Sequence, residues 1–268
     1  MNNWQLYWRY ILTSIKAQLQ YRASFILSSI GQLTATSVEI AGIWALFSRF
    51  GNLDNWNLAQ VCLFYGTVNI AFAFADALSP GFDFFGPEYI RTGQFDRLLV
   101  RPRSVIVQLL GHELALRRVG RLIQGAAVFT WACVELQLEW HGVTVYLFVF
   151  AIVGGTCLFL GLMVFQATLA FWTVESLEIM NTLTYGGAET AQYPLEIYAS
   201  WFRKFFTFIV PLACVTYLPV VGMLNIPDPL GSPYWLQLIS PMAGVLFLLL
   251  ALLVFQHIGV RHYTSTGS

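Results

Sequence analysis

The sequence predicts an all-α integral membrane protein: six transmembrane helices, an amphipathic interfacial helix ahead of them, and both termini in the cytoplasm. Three observations carry this expectation. Only 10% of the 268 residues are charged and 57% are apolar, whereas soluble domains carry about 25% charged residues. Apolar segments of about 20 residues, the length that crosses some 30 Å of hydrocarbon, recur along the chain. Lys and Arg gather in the connections that would share one side of the membrane.

The first 22 residues lack the continuous apolar core and small-residue cleavage site of a signal peptide. Trp4, Trp8, Ile11, Ile15 and Leu19 recur every three or four positions, with Asn3, Gln5, Arg9, Lys16, Gln18 and Gln20 between them. That spacing predicts a helix lying along the membrane surface, its tryptophans at headgroup level. The apolar segments follow at 23–48, 58–79, 120–138, 145–173, 205–224 and 238–259. Pro211 and Pro219 should kink or break the fifth, and Asn225–Pro233 is too rich in Pro and Gly to continue it. The chain reads as one transmembrane domain, 1–268, with connections at 80–119 and 174–204 facing the cytoplasm.

Orientation follows from the cations. With the N-terminus inside, Arg9, Lys16, Arg22, Arg91, Arg97, Arg101, Arg103, Arg117, Arg118, Arg121, Arg203, Lys204 and Arg261 all lie inside, and only Arg49 lies outside. This sets which connections face inward from a membrane whose lipid surrounds the chain. Fourteen acids balance fourteen bases, and no nucleic-acid partner is expected.

The sequence contains no Walker-type phosphate loop; its two lysines, Lys16 and Lys204, follow no glycine loop. His112 and Glu113 are adjacent, about 100° apart on a helix, which is poor geometry for shared metal ligation. Cys62, Cys133, Cys157 and Cys214 sit in apolar runs without ligand spacing and read as buried thiols. No metal site and no catalytic constellation is expected.

Polar residues inside the apolar segments have two readings. Ser29, Gln32, Thr36 and Glu39, spaced 3, 4 and 3, share one face of the first crossing. Tyr65, Asn69 and Asp76, spaced 4 and 7, share one face of the second. Such faces line a substrate path or bind helices to one another. Glu39 lies deep in its span, where a carboxylate must face protein or water; Asp76, near the cytoplasmic end, suits pairing with an arginine. Gly154, Gly155 and Gly161 permit close helix approach without forming G-x-x-x-G.

Between the second and third segments, Phe95, Leu98 and Leu99 form an apolar face at i, i+3 and i+4. Gly93 allows a turn before them, and Pro102 disfavours helix at Arg101. A short amphipathic helix at the cytoplasmic surface follows. Gly93-Gln-Phe-Asp-Arg-Leu-Leu-Val-Arg-Pro102 resembles the G-x-F-D-x-x-L-x-R-P segment of permease subunits in the ABC-2 class of ATP-binding-cassette transporters, in a bacterial subgroup. Tyr193–Tyr198, Ile209–Ala213 and Tyr217-Leu-Pro219 are similar to a second region of that subgroup.

The resemblance implies a permease that pairs with a second permease, identical or related, and with cytoplasmic ATPase subunits that bind ATP and Mg. The helix within 82–108 would seat in the ATPase, with Gly93, Phe95, Asp96, Leu99, Arg101 and Pro102 matching the motif. Arg97 joins them by its charge and exposure. Export is the family's usual direction. Ser29, Gln32, Thr36, Glu39, Tyr65 and Asn69 are then substrate-path candidates. The alternative is a transporter or channel without an ATPase, using Glu39 and Asp76 as ion sites.

Overall fold

The computed structural model describes residues 3–20, 22–112, 115, 118–173 and 177–264. Arg117 and Glu113 lie outside the described residues. Helices account for nearly all regular structure among them, and no strand is present beyond one bridge between Leu53 and Trp56.

The amphipathic N-terminal sequence forms α1, Asn3–Gln20, and α2 follows as Arg22–Phe50. A tight turn leads to α3, Leu58–Leu78, whose start is fixed by a capping box: Gln60 N–H donates to the Asn57 side chain while Asn57 N–H donates to the Gln60 side chain, each at 2.9 Å. After α4, Pro80–Asp83, and a π-helical turn at Gly86–Ile90 come α5, Phe95–Val100, and α6, Val105–Leu110. The body continues with α7, Val119–Glu135, α8, Gly142–Leu169, and α9, Leu177–Ala191. It closes with α10, Ser200–Phe208; α11, Leu218–Leu224; α12, Tyr234–Ile239; α13, Met242–Val254; and α14, Val260–His262.

Among the described residues, four helical stretches are long and apolar enough to cross a membrane: Ala23–Phe50, Leu58–Leu78, Gly142–Leu169 and Met242–His262. The other two predicted crossings differ. The segment expected at 120–138 is α7, whose 17 residues extend only about 25 Å at 1.5 Å per residue. The segment expected at 205–224 is broken: α10 and the helical run Ala213–Leu224 meet at 79°. Pro211 sits at the break, as the sequence predicts.

Small residues set the packing. On α8, Gly154 and Gly161 face α13, and Gly155 faces Ala71 of α3. A methyl on Gly154 would strike the Pro241 carbonyl, and one on Gly244 would strike the Gly154 carbonyl, so the two backbones touch. Gly66 of α3 meets Phe129 of α7 in the same way. α3 is therefore enclosed, with Val61, Phe64, Val68 and Phe72 buried, while α2 and α13 present Leu27, Trp44, Leu249 and Leu253 outward. An apolar outer surface of that kind suits hydrocarbon rather than water.

The bundle has two distinct ends. At one, Phe85, Phe95, Phe171 and Phe255 pack ring against ring with centroids 5.2–5.6 Å apart, joining α5 to the ends of α8 and α13. At the other, Trp56 and Phe64 pack on Tyr217, whose hydroxyl donates to Asp228 at 2.7 Å. Trp56 Nε1 also donates to Glu196 at 3.0 Å. The Trp56–Glu196 bond thus holds the part of 174–204 that follows α9 at the end of the bundle away from α5.

Candidate docking helix and buried polar ladder

α5 begins where Gly93 takes a positive φ of 69°, a conformation that suits glycine. It ends at Arg101, which is extended at ψ 133° ahead of Pro102. Phe95 and Leu98 are buried, Phe95 also lying edge-on to Tyr263 at 4.8 Å. Leu99, expected on the same face, instead points out and is 42% exposed, beside Val100 at 84%. Arg97, Arg101, Pro102 and Arg103 are exposed around them, Gly93 and Asp96 partly so. Phe95 therefore anchors the helix from below and cannot itself touch a docked partner.

A contact the sequence reading missed fixes this helix. Gln108 of α6 donates through Nε2 to the carbonyls of Leu98 and Arg103, at 3.2 and 3.3 Å. The first satisfies an oxygen that the C-terminus of α5 leaves open, and the second ties down the link to α6. Nearby, the Tyr89 hydroxyl meets His112 Nδ1 at 2.9 Å, and His112 Nε2 lies 3.5 Å from Glu88. Burial and then the Glu88 carboxylate push the Tyr89 phenol up to about 12, against the pull of Arg101.

The second candidate lies between α2, α3 and α7. The two predicted polar faces meet there, and α7 adds a third from Arg118, Arg121 and Gln124. At the α5 end, Arg118 pairs with Asp76 at 2.8 Å and reaches Gln32 at 3.5 Å. One turn along, Arg121 Nε donates to Asn69 Oδ1 at 2.7 Å, its guanidinium 4.4 Å from the centre of the Phe72 ring. Gln124 Nε2 donates to the Tyr65 hydroxyl at 3.4 Å, which in turn donates to Glu39 at 3.2 Å and to the Thr36 carbonyl at 3.4 Å. Ser29 takes part through its backbone, against which Gly120 packs, while its hydroxyl has no partner among the described residues.

Thr36, Tyr65, Asn69 and Asp76 are buried, Gln32 half-buried, and Glu39 exposed on the outer flank of α2. Arg121 is only 8% exposed, so charge sidedness and lipid contact do not account for it. In this arrangement the side chains fill the space between the helices and bind them together. Arg118, Arg121 and Gln124, spaced 3 and 3 at the mouth of an apolar segment, were the available signal.

Residues 33–267 match the family model described as ABC-2 family transporter protein. The chain belongs to the ABC-2 transporter family. Among curated proteins and among solved structures, nothing matches it. ABC-2 membership makes this a membrane permease component of an ABC transporter, a class of subunit without an ATPase of its own.

Proposed function

We propose that the chain is the membrane-spanning subunit of an ATP-driven exporter in the bacterial inner membrane. It works with a second permease and with cytoplasmic ATPase subunits that hold ATP and Mg. The observation that carries this reading is the construction of α5. Its inner side is locked by Phe95, Leu98 and Gln108, and its outer side offers Leu99, Val100 and Arg97. A short helix that is rigid below and unpartnered above is what a motor needs to push against.

The topology we propose keeps six crossings but changes the fifth. α2, α3, α7, α8, α9 and α13 cross, and α10 with α11 dips in from the outer side and returns. The Trp56–Glu196 hydrogen bond supports this, since it ties the segment after α9 to the α2–α3 turn. Arg203 and Lys204 then join Arg49 outside, leaving eleven of the fourteen cations inside, and both termini stay cytoplasmic. The ATPase-independent alternative is weakened at Asp76, which Arg118 already neutralises.

Purification of the full-length chain from its own membranes in mild detergent tests the reading. A Walker-containing ATPase and a second permease should accompany it. Recovery of a transport-competent chain with neither would end the proposal.

A further inference from the structure

Among the described residues, two of the membrane-length helices are left largely uncovered by the rest of the chain. Only 17% of the apolar stretch of α2 is buried, and 22% of that in Met242–His262, against 83% for α3. The two uncovered helices are built differently. α13 turns Leu246, Leu249, Leu250 and Leu253 outward, a surface suited to hydrocarbon. One flank of α2 instead exposes Gly31, Ala35, Glu39 and Gly42, which fall within about 80° of arc at 3.6 residues per turn.

The glycines on this flank serve no close contact within the chain. A methyl on Gly31 or Gly42 would meet nothing within 4 Å, whereas one on Gly66, Gly154 or Gly155 would strike a neighbouring helix. Glycine costs a helix about 1 kcal/mol relative to alanine. Inside a membrane, small residues four apart, as Gly31 and Ala35 are, suit the close approach of another helix.

Glu39 supplies the second, independent reason to expect one. It stands about 16 Å along α2 from Phe50, near the middle of some 30 Å of hydrocarbon. A carboxyl group at that depth must face protein or water, yet this one is exposed on the outer flank. Among the described residues it receives a single hydrogen bond, from the Tyr65 hydroxyl to Oε2 at 3.2 Å. The cations of α2, Arg22 and Arg49, lie at its two ends. A parallel neighbour of the same sequence therefore meets Glu39 with its own Glu39.

We propose that this flank of α2 is the interface with a second copy of the chain. A twofold axis along the membrane normal sets the two α2 helices side by side in parallel, and Gly31, Ala35 and Gly42 let their backbones approach. The two Glu39 carboxyls meet there and hold one proton between them, the protonated group donating to the ionised one. Each Tyr65 hydroxyl keeps its bond to the other oxygen. The Arg121 guanidinium, within electrostatic reach of Glu39, offsets the negative charge that the pair retains. This deepens the permease reading and rests on it in one respect: it names the second permease as this same chain.

Cysteine crosslinking of the full-length chain in its own membranes tests the interface. In otherwise cysteine-free chain, Ala35→Cys and Gly42→Cys should give disulfide-linked dimers on oxidation. Ile30→Cys, on another flank of α2, and Leu249→Cys, on α13, should not. Two differently tagged copies expressed together should each recover the other. Glu39→Leu should lower dimer affinity in lipid bilayers about tenfold, in line with one hydrogen bond between membrane helices, and Glu39→Gln should retain most of it. Equal crosslinking from Ile30→Cys and Ala35→Cys, or a Glu39→Leu chain that dimerises as before, would overturn the proposal. So would recovery of a different permease with no exchange between tagged copies, an outcome that leaves the transport reading intact. Crosslinked dimers that bring no ATPase would support the interface and count against the transport reading alone.

Discussion

Trp56 and Glu196, 140 positions apart, are joined by a 3.0 Å hydrogen bond at the end of the bundle farthest from α5. The bond places the start of α3 beside the segment that follows α9. The C-terminal end of α9 is therefore directed toward the start of α3 rather than toward α5.

Sidedness labelling follows directly. In otherwise cysteine-free chain, Lys204→Cys and Asn52→Cys should react with an impermeant maleimide from the same face of the membrane. Arg97→Cys should react only from the other. Labelling of Lys204→Cys together with Arg97→Cys would return α10 to the cytoplasmic side and remove α9 as a crossing.

The Arg118–Asp76 pair should behave as a unit. Arg118→Gln leaves a carboxylate that is 3% exposed without its partner. A loss of about 3 kcal/mol is expected, the low end for breaking a buried pair because Arg118 is partly exposed. Adding Asp76→Asn should recover most of it. Thermal melting of the two single variants and the double variant in detergent measures the coupling; strictly additive losses would mean the pair is not coupled.

The two sides of α5 should separate by phenotype. Phe95→Ala removes a fully buried ring and should cost about 3–5 kcal/mol of stability. Val100→Glu, Asp96→Lys and Arg97→Glu alter the outward side and should leave melting within about 1 kcal/mol. These three should nonetheless weaken recovery of the ATPase on affinity purification. Unchanged recovery and unchanged ATPase stimulation in all three would move the docking site elsewhere.

At the opposite end, Asp228 accepts from the Tyr217 hydroxyl and from the N–H groups of Leu230 and Ser232. Burial pushes its carboxyl up, but donors from Ser232, Leu230 and Tyr217 together hold it below the ordinary 3.8. A depressed folded value means the stabilisation is complete above the unfolded pKa and fades as pH falls through the folded one. Amide exchange in 225–233 should be protected equally from pH 5 to 8 after correction for intrinsic rates, and lose protection only below about 4. Asp228→Asn should lower protection across the whole range.

Periodicity made the polar faces legible. Ser29, Gln32, Thr36 and Glu39 do share a face, and Tyr65 and Asn69 do oppose it, because 3.6 residues per turn is a property of the backbone alone. What occupies the gap was hidden. Arg121 carries the same charge as Arg91, so counting cations treats a buried side chain and an exposed one alike. The path of the fifth segment is hard to read for a related reason. From Phe205 to Leu224 the chain is mostly aromatic and aliphatic, whereas α9 carries Glu178, Asn181 and Glu189, and hydropathy rewards the first. Apolar character reports what surrounds a segment; it does not report whether the segment passes through or turns back. Leu99 faces outward because a six-residue helix has room for only two anchors on its inner side, and Phe95 and Leu98 fill it.

Gln108 grips the chain on both sides of Arg101, at Leu98 and at Arg103, while its own helix α6 lies against Gly81, where the Leu109 carbonyl leaves no room for a methyl. Just beyond, Ala115 N–H donates to the Ala77 carbonyl of α3 at 3.1 Å. Among the described residues, the joints from α5 to the central helix are therefore short, direct contacts. On the transport reading proposed above, such a linkage would work in both directions. A push at α5 would reach the ladder on α3, and a cargo that prised Asn69 from Arg121 would be felt at α5 by the same amount of free energy. A permease built this way would be a gauge as well as a gate, reporting its load to the motor that drives it.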